Sequence, residues 1–164
     1  MKKNKKLKKT NKYKEEVISR VLFEPKTIGN ISFIEVVSLI SPIQEIYTQK
    51  ISPVVDANNQ INCALKKGYP SFIVYEEEAQ IIANLFRQLP SSVPFRCHIP
   101  PYGFKFHLDN GNVIYIELCW QCHSGQVWFS DVKNCETAFS FDADSEPAQK
   151  LFKLCHNTIP FKSK

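Results

Sequence analysis

Tyr102-Gly103-Phe104-Lys105-Phe106-His107-Leu108-Asp109-Asn110-Gly111-Asn112-Val113-Ile114-Tyr115-Ile116-Glu117-Leu118-Cys119 decides the fold of this chain. Aromatic and β-branched residues flank Asn110-Gly111, the strongest short signal for a hairpin turn. A two-residue loop, with both central residues at positive φ, would set Phe106 against Tyr115 and Phe104 against Glu117. Tyr102 would then oppose Cys119. Cross-strand partners share a face, so this register gathers Phe104, Phe106, Leu108, Val113, Tyr115 and Cys119 on one side. Ile114, Ile116, Leu118 and Trp120 fall on the other. Both faces are apolar, which predicts a hairpin at the centre of a sheet covered by helix.

Outward from the hairpin, Gln126 to Ser130 reads as a third strand after a turn over Cys122-His123-Ser124-Gly125. Phe139-Ser140-Phe141-Asp142 adds a fourth. Ile31 to Val37 is β-branched and reads as a strand. The spacing of Ile81, Ile82, Leu85, Phe86 and Leu89 predicts one apolar helix stripe over 76–89, with Glu76, Glu77 and Glu78 in its favourable first turn. A closing helix begins at Ser145 as N-cap with Pro147 just inside. A short helix is expected over 15–23, and Pro42 and Pro53 punctuate a segment whose topology the sequence leaves open. Strands bracketed by helices give an α+β class with an antiparallel meander sheet, its central hairpin at 103–120.

The chain has 164 residues, 43% hydrophobic and 23% charged, enough for one domain with a sizeable core. Its 12 phenylalanines fit a closely filled interior. The net charge of +5 is unevenly placed. Residues 1–14 hold eight lysines and no acid, which leaves 13 basic against 16 acidic residues in the remainder. Lys2, Lys3, Lys5, Lys6, Lys8 and Lys9 therefore read as a disordered tail ahead of a single domain over 15–164. Clustered lysines attract nucleic acid or anionic surfaces without sequence preference. No apolar run of the signal-peptide kind follows them, and none is long enough to span a membrane. The expected location is cytoplasmic.

Six cysteines fall short of a disulfide scaffold, and Cys63 and Cys155 sit in apolar surroundings as small core residues. Cys119-Trp120-Gln121-Cys122-His123 is different. The hairpin arithmetic places Cys122 opposite Ile99, close to Cys97-His98, so that Cys97, Cys119 and Cys122 meet at one end of the sheet. Three chemistries fit them. Zinc would bind thiolates in a knuckle-like Cys-x-x-Cys turn, its fourth ligand drawn from His98, His107, His123 or Cys135. Thiol redox chemistry normally uses a Cys-x-x-Cys that opens a helix, and here a strand follows. Buried thiols or one disulfide are the remaining reading. A cysteine nucleophile with His98 or His107 as base lacks an orienting partner. Trp120 and Trp128 read as core aromatics.

Cys97, Pro101-Tyr102-Gly103-Phe104, Phe106 and Cys119-Trp120-x-Cys122, with Phe141-Asp142 and the helix from Ser145, resemble a family of small bacterial proteins. The resemblance covers about residues 95–158. It implies no activity, since the family has none assigned. Its members often carry export or lipoprotein signals, which implies a disulfide. The expected function is therefore non-enzymatic protein binding, in one version as an immunity-type, toxin-neutralising protein. The alternative is a small structural-zinc or thiol-redox domain built on Cys97, Cys119 and Cys122, with His98 and His123 beside them.

Overall fold

The structure, a computed structural model, describes residues 23–40, 54–56, 60–61, 69–96, 99–132 and 136–161. Its centre is a six-stranded antiparallel sheet in the order β2-β1-β3-β4-β5-β6. The strands are β1 (Ile31–Ser38), β2 (Ser71–Tyr75), β3 (Tyr102–Leu108), β4 (Val113–Cys119), β5 (Ser124–Phe129) and β6 (Glu136–Ser140). Two helices, α1 (Glu76–Arg87) and α2 (Glu146–Thr158), cover one face. The α+β class and the meander are as the sequence predicts, with β3 and β4 in the middle. The expected helix over 15–23 and the lysine tail lie outside the described residues. No described helix is long and apolar enough to cross a membrane.

The hairpin register differs from the expected one by a residue. Tyr102 pairs with Leu118, Phe104 with Ile116 and Phe106 with Ile114. The connection is a three-residue loop, Asp109-Asn110-Gly111: the Gly111 amide donates to Leu108 O and the Leu108 amide to Asn112 O, both at 2.9 Å. Gly111 has φ +86°, which only glycine takes freely, and the Asn112 amide donates to Asn110 Oδ1 at 3.0 Å. A type I turn closed by a left-handed glycine uses Asn-Gly just as a two-residue turn does.

That single step moves every β4 side chain to the opposite face. Tyr102, Phe104 and Phe106 now share the helix side with Ile114, Ile116 and Leu118, and all six are buried. Slipping β4 back would carry Glu117 into this apolar layer and expel Ile116 and Leu118. Each large side chain lost from burial costs roughly 1.5–3 kcal/mol, and a charge without a partner there costs several more. Burial therefore sets the register, and the turn accommodates it.

The helix-side core is aromatic. Phe86 of α1 meets Phe104 and Phe106 edge-on, with ring centres 5.2 and 4.9 Å away. The Trp120 indole N–H donates to Ala148 O of α2 at 2.9 Å, and Tyr102 donates to Ile159 O at 2.7 Å. Phe23 packs against Phe139 at 5.3 Å, closing the core over β5 and β6. Two details differ from expectation. Ile81 lies 47% exposed, outside the α1 stripe. Ser145 occupies the N-cap position of α2, yet its hydroxyl donates to Asp142 O at 2.6 Å instead of capping the helix.

Candidate functional site

The second face of the sheet holds the side chains that no apolar core explains. Reading across the strands, one row runs Ile73, Glu35, Lys105, Tyr115, Trp128, Glu136. Lys105 is 3% exposed, and its Nζ lies 3.0 Å from Glu35 Oε2. In the next row Glu117, also buried, accepts a 2.9 Å hydrogen bond from the Tyr115 hydroxyl. Tyr115 stacks on Trp128 with ring centres 5.4 Å apart. Gly103 makes room for the phenol: a Cβ at this position would stand 2.5 Å from the Tyr115 hydroxyl oxygen. Val37, Val54 and Val55 close over Tyr115 and Trp128 as a smaller second core.

These charges are committed to one another. Lys105 is held by Glu35 across β3 and β1, and the Tyr115 hydroxyl by Glu117 along β4. His107 stands at its margin, stacked on Phe33 with ring centres 3.9 Å apart. Burial and the Lys105 ammonium hold its imidazole below the ordinary value, with the Glu35 carboxylate opposing them in part. Its Nε2, like the Trp128 indole N–H, makes no hydrogen bond among the described residues.

At the end of β4 the cysteines separate. Cys119 is free and buried, and its sulfur accepts from the Ile99 amide at 3.4 Å. Cys122 is disulfide-bonded, to a cysteine outside the described residues. The two do not bond each other, and a sulfur in a disulfide offers no thiolate to a metal. Cys97 and His98 lie outside the described residues, as do Cys63 and Cys135. The flanking backbone corrects the expected pairing: the Phe95 amide donates to Cys122 O at 2.9 Å, so Cys122 faces Phe95 and Ile99 meets Cys119. His123 takes φ +53° in the turn, and the Ala143 amide donates to its Nδ1 at 3.3 Å, which makes it a turn residue. Among the described residues no three His, Cys, Asp or Glu side chains gather as a metal site. Cys155 is buried in the core, which pushes its thiol up to about 12.

A third feature is the sheet's β2 edge, which the sequence reading missed. The Ser38 amide bonds Pro70 O at 2.8 Å, and the register then sends the backbone groups of Phe72 and Val74 toward β1. Those of Ser71, Ile73 and Tyr75 point outward. Ile73 is 46% and Tyr75 58% exposed, and Ile81 on α1 stands nearby. Phe72, Ile73, Val74, Glu78, Ile81 and Ile82, with α2, line a cavity of about 400 Å³ beside this edge. Glu76 turns the strand straight into α1 at φ +47°, and Glu76, Glu77 and Glu78 are exposed at its end.

No family model, curated protein or solved structure matches this chain.

Two outcomes test the charged wall. Lys105→Met leaves the half-buried Glu35 without its partner and is expected to cost about 1–3 kcal/mol in urea unfolding, while Glu35→Leu with Lys105→Met recovers most of the loss. Equal losses in the single and double variants would contradict the pairing. The second concerns pH. Because the folded His107 value lies below the unfolded one, near 6.5, the unfolded chain takes the proton first. The stability contributed by the neutral imidazole is complete above about pH 6.5 and declines as pH falls toward the folded value. His107→Gln is expected to lose less stability than the parent chain between pH 7.5 and pH 5.5, about one unit either side of that value, by urea midpoint.

Proposed function

We propose that this chain is a non-enzymatic, protein-binding domain that engages its partner through the β2 edge, with an immunity-type, toxin-neutralising role as the specific version. The observation that carries the reading is the edge itself. An edge strand presenting Ile73 and Tyr75, with no lysine, proline or bulge within it, lacks the devices that blunt sheet edges against pairing. The opposite edge, β6, begins with the exposed Glu136 and carries small or polar residues at 138 and 140. The internal pairing of Lys105 with Glu35 and of Tyr115 with Glu117 supports a binding role over a catalytic one. The bonded Cys122 supports an oxidising compartment for it, in place of the cytoplasm expected from sequence.

The alternative of a zinc or redox domain draws less support, because Cys119 is free while Cys122 is bonded elsewhere. The test uses the disulfide-bonded chain with a photo-crosslinking residue at position 75, or at position 136 as control. It is illuminated with the purified product of the adjacent coding sequence. An adduct from position 75 alone, lost in Ile73→Lys, together with relief of that product's toxicity on co-expression, is the expected result. No adduct and no complex by calorimetry would overturn the reading.

A further inference from the structure

We infer that the partner presents to β2 an extended, basic strand in which apolar residues alternate with lysine or arginine. This rests on the protein-binding reading of the same edge and adds the chemistry of what binds there. Three features of the edge specify it. First, the outward backbone groups of Ser71, Ile73 and Tyr75 form a ready ladder, so the partner must be extended and must supply its own amides and carbonyls. Second, the two sides of that ladder differ. A partner residue opposite Ile73 lies on the second face beside exposed Ile73 and Tyr75, where an apolar side chain removes most apolar surface from water.

Residues opposite Phe72 and Val74 point instead to the helix side, toward the cavity lined by Ile81, Ile82 and Glu78. Glu78 puts a carboxylate on that apolar wall. A lysine or arginine meets both demands, its stem lying on Ile81 and its head reaching Glu78. Third, the charge is one-sided. Glu76, Glu77 and Glu78 are all exposed at the end of the strand, and among the described residues none of them has a cation within ion-pair distance. An acidic partner strand would be repelled there, and a basic one would be drawn in and held in register.

The experiment measures fluorescence anisotropy of a labelled peptide, acetyl-Thr-Lys-Val-Lys-Val-Lys-Thr-amide, against the full chain. Its companions carry Glu for each Lys, or N-methyl groups on alternate amides facing β2. The lysine peptide is expected to bind at least about tenfold more tightly than the glutamate peptide, a difference that shrinks as salt rises. Glu78→Lys should weaken the lysine peptide by about tenfold, and N-methylation should abolish binding. The Glu78 and Ile73 variants alter exposed groups, and circular dichroism checks that the fold is retained.

Equal binding of the two peptides, or binding indifferent to N-methylation, would overturn the inference. Tighter peptide binding after removal of residues 1–14 would hand the edge to this chain's own lysines, also against it. Self-association in sedimentation velocity that Ile73→Lys abolishes would assign the edge to a second copy and would equally overturn it. Crosslinking of a partner at position 75 without discrimination between the peptides would leave the binding reading standing and remove the basic strand alone.

Discussion

The pairing of β3 with β4 is the constraint on which the rest of the molecule depends. Strand side chains alternate, so the offset between these two strands decides which residues reach the helices and which form the opposite wall. The three-residue loop Asp109-Asn110-Gly111 supports an offset in which Ile114, Ile116 and Leu118 lie beside Phe106, Phe104 and Tyr102. Phe86 and Trp120 then find their partners, and α1 and α2 dock on a continuous apolar surface. The same offset sets Lys105 between Glu35 and Tyr115 and sets Glu117 across from Gly103. Gly103 belongs to this arrangement, because a Cβ there would stand within 3 Å of the Tyr115 phenol.

Much of this was legible in the sequence, and the errors have physical causes. Periodicity placed α1 and α2 because the apolar residues recur every three or four positions, and Asn110-Gly111 announced the hairpin. The offset was ambiguous because Asn-Gly serves two loop lengths and because Tyr115 and Val113 look as apolar as Ile114 and Ile116. The deciding residue was Glu117. An acid between Ile116 and Leu118 belongs away from the Phe104 and Phe106 face, and the observed offset puts it on the face of Lys105, where the Tyr115 hydroxyl donates to it. Lys105 between Phe104 and Phe106, and Glu35 in a β-branched strand, carried the same signal. Nothing local reveals that β1 brings Glu35 to Lys105, since that contact joins residues far apart in the chain.

The cysteines show the opposite limit. Cys119 and Cys122 look like a pair by spacing, yet the turn between them directs one sulfur to the Ile99 amide and leaves the other in a bond elsewhere. Strand β2 was legible in principle: Ser71-Phe72-Ile73-Val74-Tyr75 is β-branched and aromatic and follows a Gly-Tyr-Pro turn. Its importance comes from tertiary placement. As the outermost strand beside β1, it turns an ordinary apolar segment into an open edge with Glu76, Glu77 and Glu78 at its end. The wall of paired charges and the open edge divide the work of the sheet. The first ties β1 to β3 through Glu35 and Lys105, and the second leaves the outward backbone groups of Ser71, Ile73 and Tyr75 on the edge of the sheet.

Cross-strand Hα–Hα Overhauser contacts test the register most directly, because residues in a non-hydrogen-bonded antiparallel pair bring their Cα atoms to about 4.5 Å. The expected contacts join Gly103 to Glu117, Lys105 to Tyr115 and His107 to Val113. Contacts joining Phe104 to Glu117 and Phe106 to Tyr115 would place β4 the other way up and contradict the account.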